Sequence, residues 1–128
     1  MKKMSFTLIE LLVVVAIIAL LSILAFTGFS LIYEDNIDKE AVASLKQLNM
    51  AEDFYYMKNS SYYASAVLAD INDNLKVSLP TGTSRNWDYV TDEDGCVQAT
   101  RNGGDSRTWR MLIIGEEPLE DSTCPPVE

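Results

Sequence analysis

Residues 2–29 read KKMSFTLIELLVVVAIIALLSILAFTGF. From Leu11 to Phe29 nothing is more polar than Ser22, Thr27 and Gly28. At ~1.5 Å of rise per residue this run covers about 28 Å, close to the ~30 Å hydrocarbon thickness of a bilayer, which predicts a membrane-spanning helix. Secretory signals carry a shorter apolar stretch, of about 7 to 15 residues, followed by a small-residue cleavage site. Here the run is longer, and no Ala-x-Ala precedes the polar sequence that begins at Tyr33, so the segment reads as a retained anchor. Lys2 and Lys3 place its N-terminus in the cytoplasm and the remainder of the chain outside it.

Glu10 stands at the entrance to this apolar run. One reading is local: Thr7-Leu8-Ile9-Glu10 fits the capping box, in which a carboxylate satisfies free backbone donors at a helix start. The other is intermolecular. An unpaired charge in a poorly hydrated setting is expensive, so the carboxylate calls for a cation, either Lys3 or an amine released by proteolysis.

The remaining residues, about one hundred of the 128, are enough for a single small soluble domain. The net charge of −9 belongs almost wholly to that part, since only Lys2, Lys3 and Glu10 are charged before Ile32. An acidic domain repels nucleic acid and anionic lipid, so direct nucleic-acid binding is not expected. Histidine is absent, which removes the commonest general base and the commonest metal ligand. Cys96 and Cys124 lack CxxC spacing; outside the cytoplasm an even count predicts a disulfide, two buried free thiols being the alternative. Closing a loop of about 29 residues stabilises by ~3 to 4 kcal/mol in the chain-entropy model.

Lys2-Lys3-Met4-Ser5 followed by Phe6-Thr7-Leu8-Ile9-Glu10-Leu11-Leu12 resembles the class III leader and N-terminal methylation motif of type IV pilins and of the pseudopilins of type II secretion. The resemblance implies that a prepilin peptidase in the cytoplasmic membrane cleaves between Ser5 and Phe6 and methylates the new Phe6 amine. It also implies that Glu10 neutralises the Phe6 amine of a neighbouring subunit and so sets assembly register. Two departures stand out: Ser5 occupies the position usually held by glycine, and Thr27-Gly28 stands where many members carry proline.

Beyond the anchor the helical period continues while polarity changes. Ile37, Ala41, Leu45, Leu48, Ala51 and Tyr55, spaced by three or four, fall on one face, with Asp38, Lys39, Lys46, Gln47, Asp53 and Lys58 mainly elsewhere. This predicts one helix from near Phe6 to about Lys58, roughly 80 Å long. Within its apolar part Ala16, Ala19, Ser22, Ala25 and Gly28 recur every third residue, a slowly winding line of small residues that suits several helical neighbours, or that reflects the abundance of alanine in membrane spans. The tyrosines between Glu52 and Ala64 are expected to cover the edge of a core, and Tyr55-Tyr56 with Asn59-Ser60-Ser61-Tyr62 resembles the helix-to-loop junction of pilins.

A short helix is predicted over Ser65 to Asn72 and strands over Lys76 to Leu79, Asn86 to Thr91, Gly95 to Arg101 and Thr108 to Ile114. The turns Asp92-Glu93-Asp94-Gly95 and Asn102-Gly103-Gly104-Asp105 suit hairpins. Asp92, Glu93 and Asp94 lack the spacing of a calcium loop and read as a solvated acidic turn. No phosphate loop, nucleophile elbow or zinc motif is present.

The expected fold is α+β: a long N-terminal helix, half membrane-spanning and half amphipathic, packed on a small antiparallel sheet as in pilins. The expected organisation is 1–5 leader, 6–32 apolar helix, and 33–128 amphipathic helix plus head. The resemblance implies a structural subunit, a major pilin polymerised into an extracellular filament, with a pseudopilin or minor pilin as the alternative and a membrane-anchored binding module that never polymerises as a third. No enzyme activity, cofactor or metal site is expected. The implied partners are copies of the chain itself, the prepilin peptidase and methyltransferase, the inner-membrane assembly platform, and membrane lipid before assembly.

Overall fold

The computed structural model of the chain describes residues 5–112 and 117–124. Lys2, Lys3 and Met4 of the leader, the predicted strand end at Ile113 and Ile114, and residues 125–128 lie outside the described residues. The architecture is α+β: helices α1 (Leu8–Asn59) and α2 (Leu68–Leu75), then strands β1 (Trp87–Thr91), β2 (Val97–Arg101), β3 (Thr108–Met111) and β4 (Leu119–Glu120). The chain divides into two compact units, Met1–Asn36 and Ile37–Glu128.

The first unit is helical from Leu8 onward and, among the described residues, has no core of its own. Its large apolar residues from Phe6 to Ile32 are exposed. The 18-residue window of greatest hydropathy averages 3.0 with none of its residues buried, so this segment is long and apolar enough to cross a membrane.

The second unit is built on the amphipathic part of α1. Ile37, Ala41, Leu45 and Leu48 are buried and Ala51 and Tyr55 pack at the margin, the face that the three-four spacing predicts. Against it lies one antiparallel sheet in the order β1-β2-β3-β4. Alternation places Trp87, Tyr89 and Thr91 of β1 and Val97 and Ala99 of β2 inward, where period two requires them. Register runs Val90 to Gln98 to Arg110 to Leu119 across the outer face. Two polar ties fasten the sheet side to the start of this helical part: the Trp87 indole donates to the Ile37 carbonyl at 2.9 Å, and Arg107, just before β3, meets Asp38 at 2.7 Å. Nearer the middle, the Asn49 amide donates to the Leu112 carbonyl at 3.1 Å.

Turn chemistry sets the register. At the β1–β2 connection Asp92 Oδ1 accepts from the backbone N–H of Asp94 and Cys96, at 3.0 and 2.9 Å, and Gly95 takes φ 78°. Glycine suits that left-handed position because it lacks a Cβ.

Two predicted elements differ. Residues 76–79 form no strand. Lys76 closes α2 in the left-handed conformation, and the Asn72 side chain both donates to the Leu79 carbonyl and accepts from its N–H, each at 2.9 Å. One side chain thus supplies the pairing that a neighbouring strand would give, and Val77 and Leu79 are buried without a ladder. The short helix begins at Leu68 and not Ser65, because Ser65 is held in extended pairing with Thr91, exchanging N–H···O bonds of 3.1 and 2.9 Å. The chain after Pro118 adds a fourth strand, β4, absent from the sequence expectation.

Candidate functional site

Ser5 and Phe6 precede the helix, and Phe6 is 73% exposed. Thr7 starts it: its carbonyl accepts from the N–H of Glu10 and Leu11, at 3.1 and 3.3 Å. The Glu10 carboxylate accepts in turn from the Thr7 N–H at 3.4 Å and from the Thr7 hydroxyl at 3.2 Å. This is half of a capping box. The threonine hydroxyl donates to the carboxylate where the full box would have it accept from the backbone. Both contacts are long and exposed, so Glu10 is anchored locally yet accessible to a stronger cationic partner.

Along the apolar run, Ser22 closes on its own helix by donating to the Ile18 carbonyl at 2.7 Å, which hides its polarity from lipid or from a neighbouring helix. A Cβ placed on Gly28 would meet nothing within 4 Å, so no close packing among the described residues explains this glycine.

The head carries a second apolar stripe. Met50, Phe54 and Met57 are 59%, 72% and 71% exposed. At about 100° per residue they lie on the side of α1 opposite Leu45 and Leu48. A surface helix ordinarily carries polar residues there. These residues went unnoticed in the sequence, where the eye follows the core face, although their spacing of four and three was available to read.

Cys96 and Cys124 are joined in a disulfide, with Cα atoms 5.9 Å apart. Asp92 lies beside them, its carboxylate within 4.8 Å of both sulfurs. The sulfurs bond each other and the aspartate caps the turn, so the trio reads as the structural closure of the head. Cys124 N–H also donates to Gln98 Oε1 at 2.9 Å, fixing the chain after β4 to β2.

Glu52 was not singled out by its sequence. It is 1% exposed and accepts from the Tyr63 N–H at 2.9 Å. Burial pushes its carboxyl up to about 7, against the pull of the Tyr63 hydrogen bond and helped by the negative charges of Asp92 and Asp53. A positional signal existed, since position 52 follows Leu45 by seven and Leu48 by four and so falls on the core face. The tyrosines nearby pair around the helix end: Tyr56 stacks on Tyr62 at 4.6 Å and Tyr55 meets Tyr63 edge-on at 5.5 Å. Of the four, Tyr55 and Tyr63 cover the core margin, as the sequence predicts.

Compared with known proteins, the chain matches no family model, no curated protein and no solved structure.

Proposed function

We propose that this chain is a filament subunit of the type IV pilin kind, made as a precursor, cleaved between Ser5 and Phe6, and polymerised through its apolar helix. The observation that carries this reading is the N-terminal segment: an 18-residue window of mean hydropathy 3.0, none of it buried in the single chain, with a lone carboxylate at its entrance. Such a surface needs either lipid or other copies of itself to cover it. Lipid would serve the precursor, and neighbouring helices the filament.

Glu10 has a defined part in this scheme. Hydrolysis of the Ser5–Phe6 peptide bond frees the Phe6 amine, a cation in the same apolar setting as the carboxylate. A Phe6 amine and a Glu10 carboxylate from adjacent subunits relieve each other of a charge that neither can leave unpaired. The Met50, Phe54 and Met57 stripe on the head supports the same reading, since it supplies further apolar surface that a single chain leaves uncovered.

Localisation follows: cytoplasmic membrane for the precursor, with the head outside the cytoplasm, where the Cys96–Cys124 disulfide forms and persists. The disulfide favours a major pilin over a secretion pseudopilin, and neither a catalytic group nor a cofactor has a part in the scheme. The partners would be the processing peptidase, the assembly platform and other copies of the chain.

Replacing Glu10 by valine tests it. Cleavage after Ser5 should persist, because the carboxylate lies beyond the scissile bond, while the yield of sheared filaments collapses. Normal filaments from Glu10→Val would remove the intersubunit role. Absence of cleavage in the unmodified chain would remove the reading as a whole.

A further inference from the structure

At the end of α1 a carboxyl group is buried with half of its hydrogen-bonding capacity unused. Glu52 Oε2 accepts from the Tyr63 N–H at 2.9 Å, while Oε1 is sealed from solvent with no hydrogen-bond partner among the described residues. The bond spans the turn that follows the helix. Ser60 reverses the chain there at φ 58° and donates its N–H to the Tyr56 carbonyl at 2.7 Å. Beyond it, Tyr62 stacks on Tyr56, and the Tyr63 hydroxyl accepts from Asn74 at 2.9 Å.

We propose that Glu52 is a proton-controlled latch, which pins the Ser60–Tyr63 turn to the helix end while neutral and releases it when ionised. The neutral acid tolerates this pocket, because an unpaired protonated oxygen costs far less to bury than an unpaired anionic one. Ionisation places a negative charge on a sealed oxygen. The charged groups that act on it are Asp53 on its own helix and Asp92 in the β1–β2 turn, both carboxylates, with the Tyr62 phenol in the turn itself. Neither carboxylate compensates an anion, so the charged group gains most by reaching water. That movement gives up the Tyr63 bond, and with it the tie that seats Tyr62 and Tyr63.

The consequence is a surface that responds to proton concentration. Tyr56, Ser60, Ser61 and Tyr62 share one concavity with Glu93 and Asp94, so release of the turn remodels an exposed acidic and aromatic face of the head. The raised carboxyl, at about 7, sets the working range near neutrality, where a domain outside the cytoplasm meets changing pH. This device does not depend on polymerisation.

The test uses the full chain in detergent micelles, followed by NMR. The Glu52 carboxyl carbon should titrate near pH 7, and the Tyr63 amide, after correction for intrinsic exchange, should exchange at least about tenfold faster at pH 8.5 than at pH 5.5 with the same midpoint. Glu52→Gln keeps an acceptor for the Tyr63 N–H and should abolish the rise. A carboxyl midpoint in the ordinary glutamate range, constant Tyr63 protection, or an undiminished rise in Glu52→Gln would each overturn the latch. Should that variant fail to fold, the titration and exchange of the unmodified chain decide the matter alone.

Discussion

The two parts of α1 obey the same backbone geometry and opposite solvent rules. Between Ile37 and Asn59 the helix buries one face, with Ala41, Leu45 and Leu48 at 0% exposure. Between Leu8 and Ile32 none of the described residues is buried, although this part is more apolar. Leucine in the head part is stabilised by packing within the chain, whereas the leucines between Leu8 and Leu31 are exposed in the single chain. Apolar character therefore does not by itself say where stability resides; burial does, and the described residues of the apolar part are not buried within the chain.

Matched substitutions test that difference most sharply. Leu45→Ala should destabilise the head by about 3 kcal/mol, since it removes a fully buried side chain and leaves a cavity. Leu21→Ala, at a position 60% exposed, should change head unfolding by less than ~0.5 kcal/mol. Urea unfolding of the full chain in detergent, followed by tryptophan fluorescence, reads both. Equal effects would erase the contrast between the parts.

Next in size is the disulfide. Cys96→Ser with Cys124→Ser should cost about 3 kcal/mol, given the sequence separation of 28 residues, and it should act on the head while the anchor remains helical. Circular dichroism beside fluorescence separates the two signals.

Glu52 ties head stability to pH. Its carboxyl stands at about 7 in the folded chain against an ordinary 4.5, so the folded state holds this proton more tightly than the unfolded state. The contribution is fully present below pH 4.5 and is lost as pH rises through 7, an upper bound of about 3 kcal/mol. Unfolding at stepped pH should show this decline in the unmodified chain and a flatter profile in Glu52→Gln. A smaller effect is expected of Asp38→Ala, which leaves Arg107 without its 2.7 Å partner on α1. With both side chains about one-fifth exposed, about 1 kcal/mol is expected in the same urea assay.

Much of this architecture could be read from the residues because strong local signals agreed. The change from an unbroken apolar run to three-four spacing at Ile37 marked both parts of α1, and Asp92-Glu93-Asp94-Gly95 marked the first hairpin. Where reading failed, a distant partner decided the outcome. Lys76 to Leu79 looks extended and apolar, but the side chain of Asn72 occupies the place of a neighbouring strand. Leu119 and Glu120 form a strand too short to carry a period, made by β3 alongside. Ser65 is drawn out of its predicted helix by Thr91. Glu52 was passed over because one charge in sequence carries no mark of the Tyr63 N–H that donates to it.

The motif proposed around Phe6 and Glu10 is of a different kind. Its chemistry is confined to a few adjacent residues, and the long apolar run after it admits few uses. What fold geometry adds is the local state of the carboxylate, held by Thr7 through long, exposed contacts.

The most direct measurement is mass spectrometry of protein sheared from the cell surface, set beside the membrane fraction of the same cells. The account predicts abundant sheared protein beginning at N-methylated Phe6, with its Cys96–Cys124 disulfide intact. A chain confined to the membrane with Met1 still in place would contradict it.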